Sequence, residues 1–157
     1  MFKPHHHAFR KEYTGLSQRL ITEAELISIS STEKRIIKVN ALWDTGAMAS
    51  AIVPSIAQDL KLISINRVKV NGINNVSVAD VVKISVGLPN QYMIDNVNVA
   101  VCNLVEGIDL LIGMDIIALG DFSISNGGGK TLFSFVIPPF EDKTDHYEKA
   151  IAVNRQN

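Results

Sequence analysis

The feature that most constrains this chain is a succession of short Val- and Ile-rich runs broken by Gly, Pro and Asn. β-Branched side chains suit the pleated, half-buried surface of a strand and the breakers supply turns, so the pattern predicts a mostly β domain with few helices. Residues 20–30 and 35–43, joined by the polar Ser31-Thr32-Glu33-Lys34, read as a hairpin. Residues 67–70 and 76–86 form a second one about Asn71-Gly72-Ile73-Asn74-Asn75, with Ile73 exposed at its tip. A strand at 97–101 leads through Gly107 to Asp109-Leu110-Leu111-Ile112-Gly113. Residues 122–125 and 131–137 make a closing hairpin that turns on Asn126-Gly127-Gly128-Gly129-Lys130. Short helices are expected at 54–60, where Pro54 sits in the first turn, and at 114–119, with Gly120 behind it as a stop signal.

A chain of 157 residues has the size of one domain, large enough to bury a core without disulfide or metal support. The expected division is a flexible N-terminal arm at 1–18, the folded domain at 19–139 and a charged, weakly patterned tail at 140–157. Fifteen basic and sixteen acidic side chains leave a formal charge of −1, which offers no footprint for nucleic acid and no polybasic patch for a membrane. Cys102 is the only cysteine, so no intramolecular disulfide forms and a reducing compartment is expected. The start lacks the apolar core of a signal peptide, and no apolar run approaches the ~18 residues of a membrane span, so the protein is expected to be cytoplasmic.

Several features read as structural. His5-His6-His7 are adjacent in a Pro-containing arm with no fourth partner in sequence, which suits a disordered arm better than a metal site. The glycine run at 127–129 lacks phosphate-loop spacing and joins two strands, so it is a turn. Cys102 reads as a small apolar packing residue, and Trp43 as a core or interface residue.

Asp44 is different. It follows the apolar pair Leu42-Trp43 at the end of an extended run and precedes Thr45-Gly46-Ala47. A carboxylate at the end of a buried strand is costly unless it is hydrogen-bonded or used. Asp44-Thr45-Gly46-Ala47, followed in order by a Gly-containing hairpin and then Leu110-Leu111-Ile112-Gly113-Met114-Asp115, resembles the retropepsin-like aspartic proteases, the single-domain relatives of pepsin. The resemblance spans roughly residues 20–138.

That resemblance implies a closed β-barrel with a flap hairpin and one or two short helices, acting without metal or organic cofactor. The family's chemistry needs two carboxylates that share a proton. None of the other aspartates here is followed by Ser/Thr-Gly, so the second acid must be Asp44 of another copy, in a homodimer acting on peptide or protein. By similarity Thr45 bonds across the two-fold axis, and Gly46 permits a sharp turn and leaves its carbonyl for the substrate. Gly72, Ile73 and Asn74 fall where the family has its flap. Leu42, Ala47, Met48 and Leu111 fall at pocket-lining positions, which implies a preference for hydrophobic residues around the cleaved bond. Met48 and Met114 stand where many retroviral members carry a paired acid and arginine, so an apolar contact is expected there. The C-terminal tail is placed at the dimer interface. The alternative is a non-catalytic module that keeps the fold for dimerisation or peptide binding.

Overall fold

A computed structural model describes residues 4–29, 33–71 and 76–156. The described strands are β1 (His7–Glu12), β2 (Leu20–Ile29), β3 (Lys34–Trp43), β4 (Ala51–Ile52), β5 (Asn66–Asn71), β6 (Val76–Gly87), β7 (Met93–Val101), β8 (Leu110–Ile112), β9 (Asp121–Ser125) and β10 (Leu132–Ile137). Three helices, α1 (Pro54–Asp59), α2 (Met114–Ile117) and α3 (His146–Asn154), and a 3-10 turn at Gly127–Gly129 complete the chain.

Strand order β2-β3-β8-β4-β7-β6 is closed by a pairing of β2 with β6, giving a six-stranded barrel with β5 added outside β6. Alternation explains the closure. On β2, Leu20, Thr22, Ala24 and Leu26 are buried, and on β3 Val39, Ala41 and Trp43, with Leu20 opposite Trp43, Thr22 opposite Ala41 and Ala24 opposite Val39. The two strands thus present one continuous apolar face inward. The indole N–H of Trp43 donates to Thr22 Oγ1 at 2.9 Å, which satisfies both buried polar groups.

A separate three-stranded sheet, ordered β1-β10-β9, packs on one end of the barrel. Trp43 is the junction. Its ring centroid lies 4.9 Å from Phe135, 5.1 Å from Phe133, 5.7 Å from Phe9 and 6.3 Å from Phe122, so all three strands of the small sheet touch the residue that precedes Asp44. Such rings are the largest apolar contribution a residue can make, with offset or tilted pairs adding about 0.5–1.5 kcal/mol beyond area burial.

The expected hairpins and short helices are present. Both terminal stretches carry regular structure. His7–Glu12 pairs with Ile137 through Leu132 in antiparallel register, so this part of the arm is sheet. Phe9 buries against Trp43 and Phe133, and the His6 Nδ1 lies 3.0 Å from the Pro138 carbonyl oxygen. In the tail, Asp145 caps α3 by accepting from the Tyr147 and Glu148 N–H groups. β7 begins at Met93, ahead of the expected 97, because Asn96 in a left-handed conformation (φ 59°) and a register shift between Ile84 and Val86 interrupt the alternation. No helix among the described residues is long and apolar enough to cross a membrane. Nor do those residues contain a group of three or more His, Cys, Asp or Glu side chains placed to hold a metal ion.

Candidate active site

β3 and β8 run parallel, with Ala41, Leu42 and Trp43 opposite Leu110, Leu111 and Ile112. The Asp44 N–H continues this ladder by donating to the Ile112 carbonyl at 2.9 Å. Asp44 therefore leaves β3 at a fixed height above the barrel, half-buried, with its carboxylate turned into a tight loop. There Oδ1 accepts the Gly46 N–H at 2.8 Å, and the Ala47 N–H returns to the Asp44 carbonyl at 3.2 Å.

A second set of bonds ties the loop to α2. Met114 and Asp115 N–H groups donate to the carbonyls of Ala47 (2.8 Å) and Met48 (3.1 Å). Ser50, fully buried, donates its hydroxyl to Asp115 Oδ1 at 2.7 Å and its N–H to Oδ2 at 3.0 Å, while its Oγ accepts the Gly113 N–H at 3.0 Å. The two segments approach so closely that a Cβ on Gly113 would lie 2.7 Å from the Ala49 carbonyl carbon, which only glycine avoids. The sequence reading assigned no role to Ser50 or to Asp115.

Asp44 and Thr45 open onto a cleft of about 440 Å³ lined also by Leu20, Leu42, Trp43, Phe122 and Ile124. Among the described residues lining it, Asp44 supplies the only carboxylate. Other aspartates are engaged elsewhere: Asp80 with Arg67 and Ser64, Asp95 with Ser85, Asp109 with the Asn40 N–H, Asp121 with the Phe140 N–H.

The remaining candidates distribute around this point. Leu42 and Leu111 are half-buried register partners on adjacent strands and share a face. Ala47 is half-buried, and Thr45 and Gly46 are exposed. Gly46 does not occupy a left-handed conformation; the space that glycine leaves free is beside Asp44 Oδ1, which a Cβ would approach to 3.1 Å. Met48 is 88 % exposed, so the tie between the loop and α2 runs through backbone and the Ser50–Asp115 pair in place of an apolar contact with Met114. The flap candidates Gly72, Ile73 and Asn74 lie outside the described residues, though β5 and β6 on either side pair in antiparallel register from Asn66 opposite Val81 to Asn71 opposite Val76.

The sequence profile of a family described as aspartyl protease matches residues 33–116, from the start of β3 through Asp44 to α2. Among solved structures, the chain is similar to a retropepsin-like aspartic protease from Rickettsia conorii, with 17 % identity and a TM-score of 0.53, the match covering 87 % of this chain and 98 % of that one. It also matches the solution structure of simian foamy virus (mac) protease, with 20 % identity over 64 % of this chain and 92 % of that one, at a TM-score of 0.42. No curated protein matches the chain. At 17 % identity the rickettsial likeness concerns the fold, and the profile match supplies the family. With more than half of its residues inside that profile and the barrel around Asp44 built as described, the chain belongs to the aspartyl protease family and has a retropepsin-like fold.

Proposed function

We propose that the protein is an endopeptidase that works as a homodimer, with Asp44 of each copy forming the catalytic dyad. The observation that carries this reading is the solitary carboxylate: Asp44 is held rigidly at the mouth of an open cleft whose described lining contains no second acid. Two such groups brought to about 3 Å across a two-fold axis cannot both ionise, so they hold one proton between them. The ionised Asp44 takes a proton from water as the water oxygen bonds to the scissile carbonyl carbon, and the protonated Asp44 gives its proton to the carbonyl oxygen. The tetrahedral intermediate then collapses, the C–N bond breaks, and the nitrogen leaves protonated. No covalent enzyme intermediate and no cofactor take part.

Thr45, beside Asp44 on the exposed side of the loop, bridges to the second copy, and Gly46 presents its backbone to the substrate. Leu42 and Leu111, with Ala47 and Met48 at the loop, favour hydrophobic residues around the cleaved bond. Gly72, Ile73 and Asn74, in the segment that joins β5 to β6, contact the bound peptide. A near-neutral net charge supports a peptide substrate in preference to nucleic acid or a membrane surface. Cys102, the only cysteine, supports a cytoplasmic setting.

The test is cleavage of a mixed peptide library by the wild-type protein and by Asp44→Asn between pH ~4 and ~7, read by mass spectrometry. Wild type cuts between apolar residues, and Asp44→Asn loses at least about 10³-fold in rate. Rates that rise monotonically through neutrality, or folded dimers of wild type that cut nothing, contradict the proposal.

A further inference from the structure

The cleft at Asp44 has one wall that the proton transfers do not use. It is built from Ser17, Gln18 and Arg19, the last residues before β2. This segment is held at both ends. Leu20, which follows it, is buried opposite Trp43. Ahead of it, the Ser17 N–H donates to Thr131 Oγ1 at 2.9 Å, and the Thr131 N–H donates to the Gly15 carbonyl at 3.0 Å. Thr131 is fully buried, and its hydroxyl donates in turn to Asn126 Oδ1 at 2.7 Å on the rim of the same cleft. The Ser17 hydroxyl closes the turn by donating to the Arg19 carbonyl at 2.6 Å. The backbone at Arg19 is therefore fixed relative to Asp44.

Its side chain is not. Arg19 is exposed, and its guanidinium makes no hydrogen bond or ion pair among the described residues, whereas Arg35 and Arg67 are paired with Glu33 and Asp80. Among the described residues lining this cleft Arg19 is the only cation, as Asp44 is the only carboxylate. A second copy repeats the same lining, so it adds another Arg19 and no acid beyond its own Asp44. The charge that complements this guanidinium has to come with the substrate.

We propose that Arg19 is a specificity-determining residue that binds an Asp or Glu side chain of the peptide, so that the enzyme cuts apolar sites flanked by a carboxylate. The inference rests on the endopeptidase reading and deepens it by naming the substrate class. A guanidinium presents its N–H donors in a planar fork that fits a carboxylate through two parallel bonds. An extended peptide rises about 3.3 Å per residue and turns every second side chain to one face, so an acid two or three positions from the scissile bond lies about 7–10 Å along the cleft from the dyad. A peptide lying over the pair also excludes water from it, which strengthens the attraction beyond that of a surface ion pair.

The test is a set of peptides that share one apolar cleavage pair and carry Glu, Gln or Lys two or three positions to either side, given to the wild-type protein, Arg19→Gln and Arg19→Glu, with the dimer followed by sedimentation. Wild type favours Glu over Gln by about fivefold or more in kcat/KM. This advantage shrinks in high salt, and it fades as pH falls through about 4, where the peptide carboxyl takes up its proton. Arg19→Gln treats Glu and Gln alike, and Arg19→Glu favours Lys over Glu. Wild type that cuts all three peptides at rates within about twofold of one another, or Arg19→Glu that keeps the preference for Glu, overturns the assignment and leaves the endopeptidase reading intact. A folded Arg19→Glu protein that is monomeric where wild type is dimeric sets Arg19 against the second copy, and also overturns it. Folded wild-type dimers that cut none of the peptides contradict both.

Discussion

The loop that carries Asp44 is positioned by side chains that do not line its cleft. Ser50 satisfies Asp115 and Gly113 simultaneously, and both lie on the segment whose backbone holds Ala47 and Met48. Ser50→Ala strips a hydrogen bond from the Asp115 carboxylate and leaves the Gly113 N–H, in a buried position, without its acceptor. The expected loss is about 1–3 kcal/mol, seen as a fall in melting temperature of a few degrees per kcal/mol. Asp115→Ala should cost a similar amount. Because the two residues act as one unit, the double variant should fall short of the sum, with a coupling of about 0.5–3 kcal/mol; strictly additive melting shifts would show that they do not position the loop together. Asp44 itself was legible in sequence, because a lone acid after Leu42-Trp43 has a physical cost that demands a reason. Ser50 and Asp115 were not, because nothing local in either segment says that they meet.

Among the elements, the β5–β6 hairpin has a polar clasp at its base. Asp80 Oδ1 accepts from Arg67 Nε and from Ser64 Oγ, each at 3.0 Å. The Ser64 hydroxyl first, and then the Arg67 guanidinium, hold the Asp80 carboxyl below its ordinary value of 3.8. The sign follows from linkage: a depressed acid contributes stability above its unfolded value and loses it as pH falls through the lower folded value. The clasp is therefore intact throughout the mildly acidic range where the dyad should work, and opens only in stronger acid. Asp80→Asn at pH ~5 should accelerate amide exchange in β5 and β6 while leaving β2 and β3 unchanged; equal exchange in both proteins would remove the clasp from consideration.

Strands that alternate over most of their length, such as β2 and β3, were readable because each turns one face to the core. β1 escaped because a single Phe9 in a charged stretch has no period, and it buries only where β10 supplies Phe133 and Phe135. α3 has no buried residue, and its one local signal, Asp145 with Glu148 three residues on, is a capping pattern rather than a periodicity.

For the whole molecule, barrel closure joins β2 to β6 over three residue pairs, Glu25–Gly87, Leu26–Val86 and Ile27–Ser85, and no local pattern announces it. It became readable only through the resemblance carried by Asp44-Thr45-Gly46 and the later Leu-Leu-Ile-Gly. A site shared between copies has a consequence in mass action: specific activity should fall on dilution through the dimer dissociation constant, and the melting temperature should rise with protein concentration. A dilution series with activity and sedimentation read in parallel checks this, and a specific activity that stays flat while the protein turns monomeric contradicts it.

The small sheet links residues 7–12 to residues 132–137, with 121–125 on the far side of β10. During synthesis the chain emerges from its first residue onward, so Asp44 leaves the ribosome long before β10 exists to hold β9 in place. A nascent chain thus carries the acid but lacks the sheet that supports it. Until the chain has been extended through Ile137, Trp43 has no complete small sheet to pack on, so the segment that carries Asp44 gains its support last.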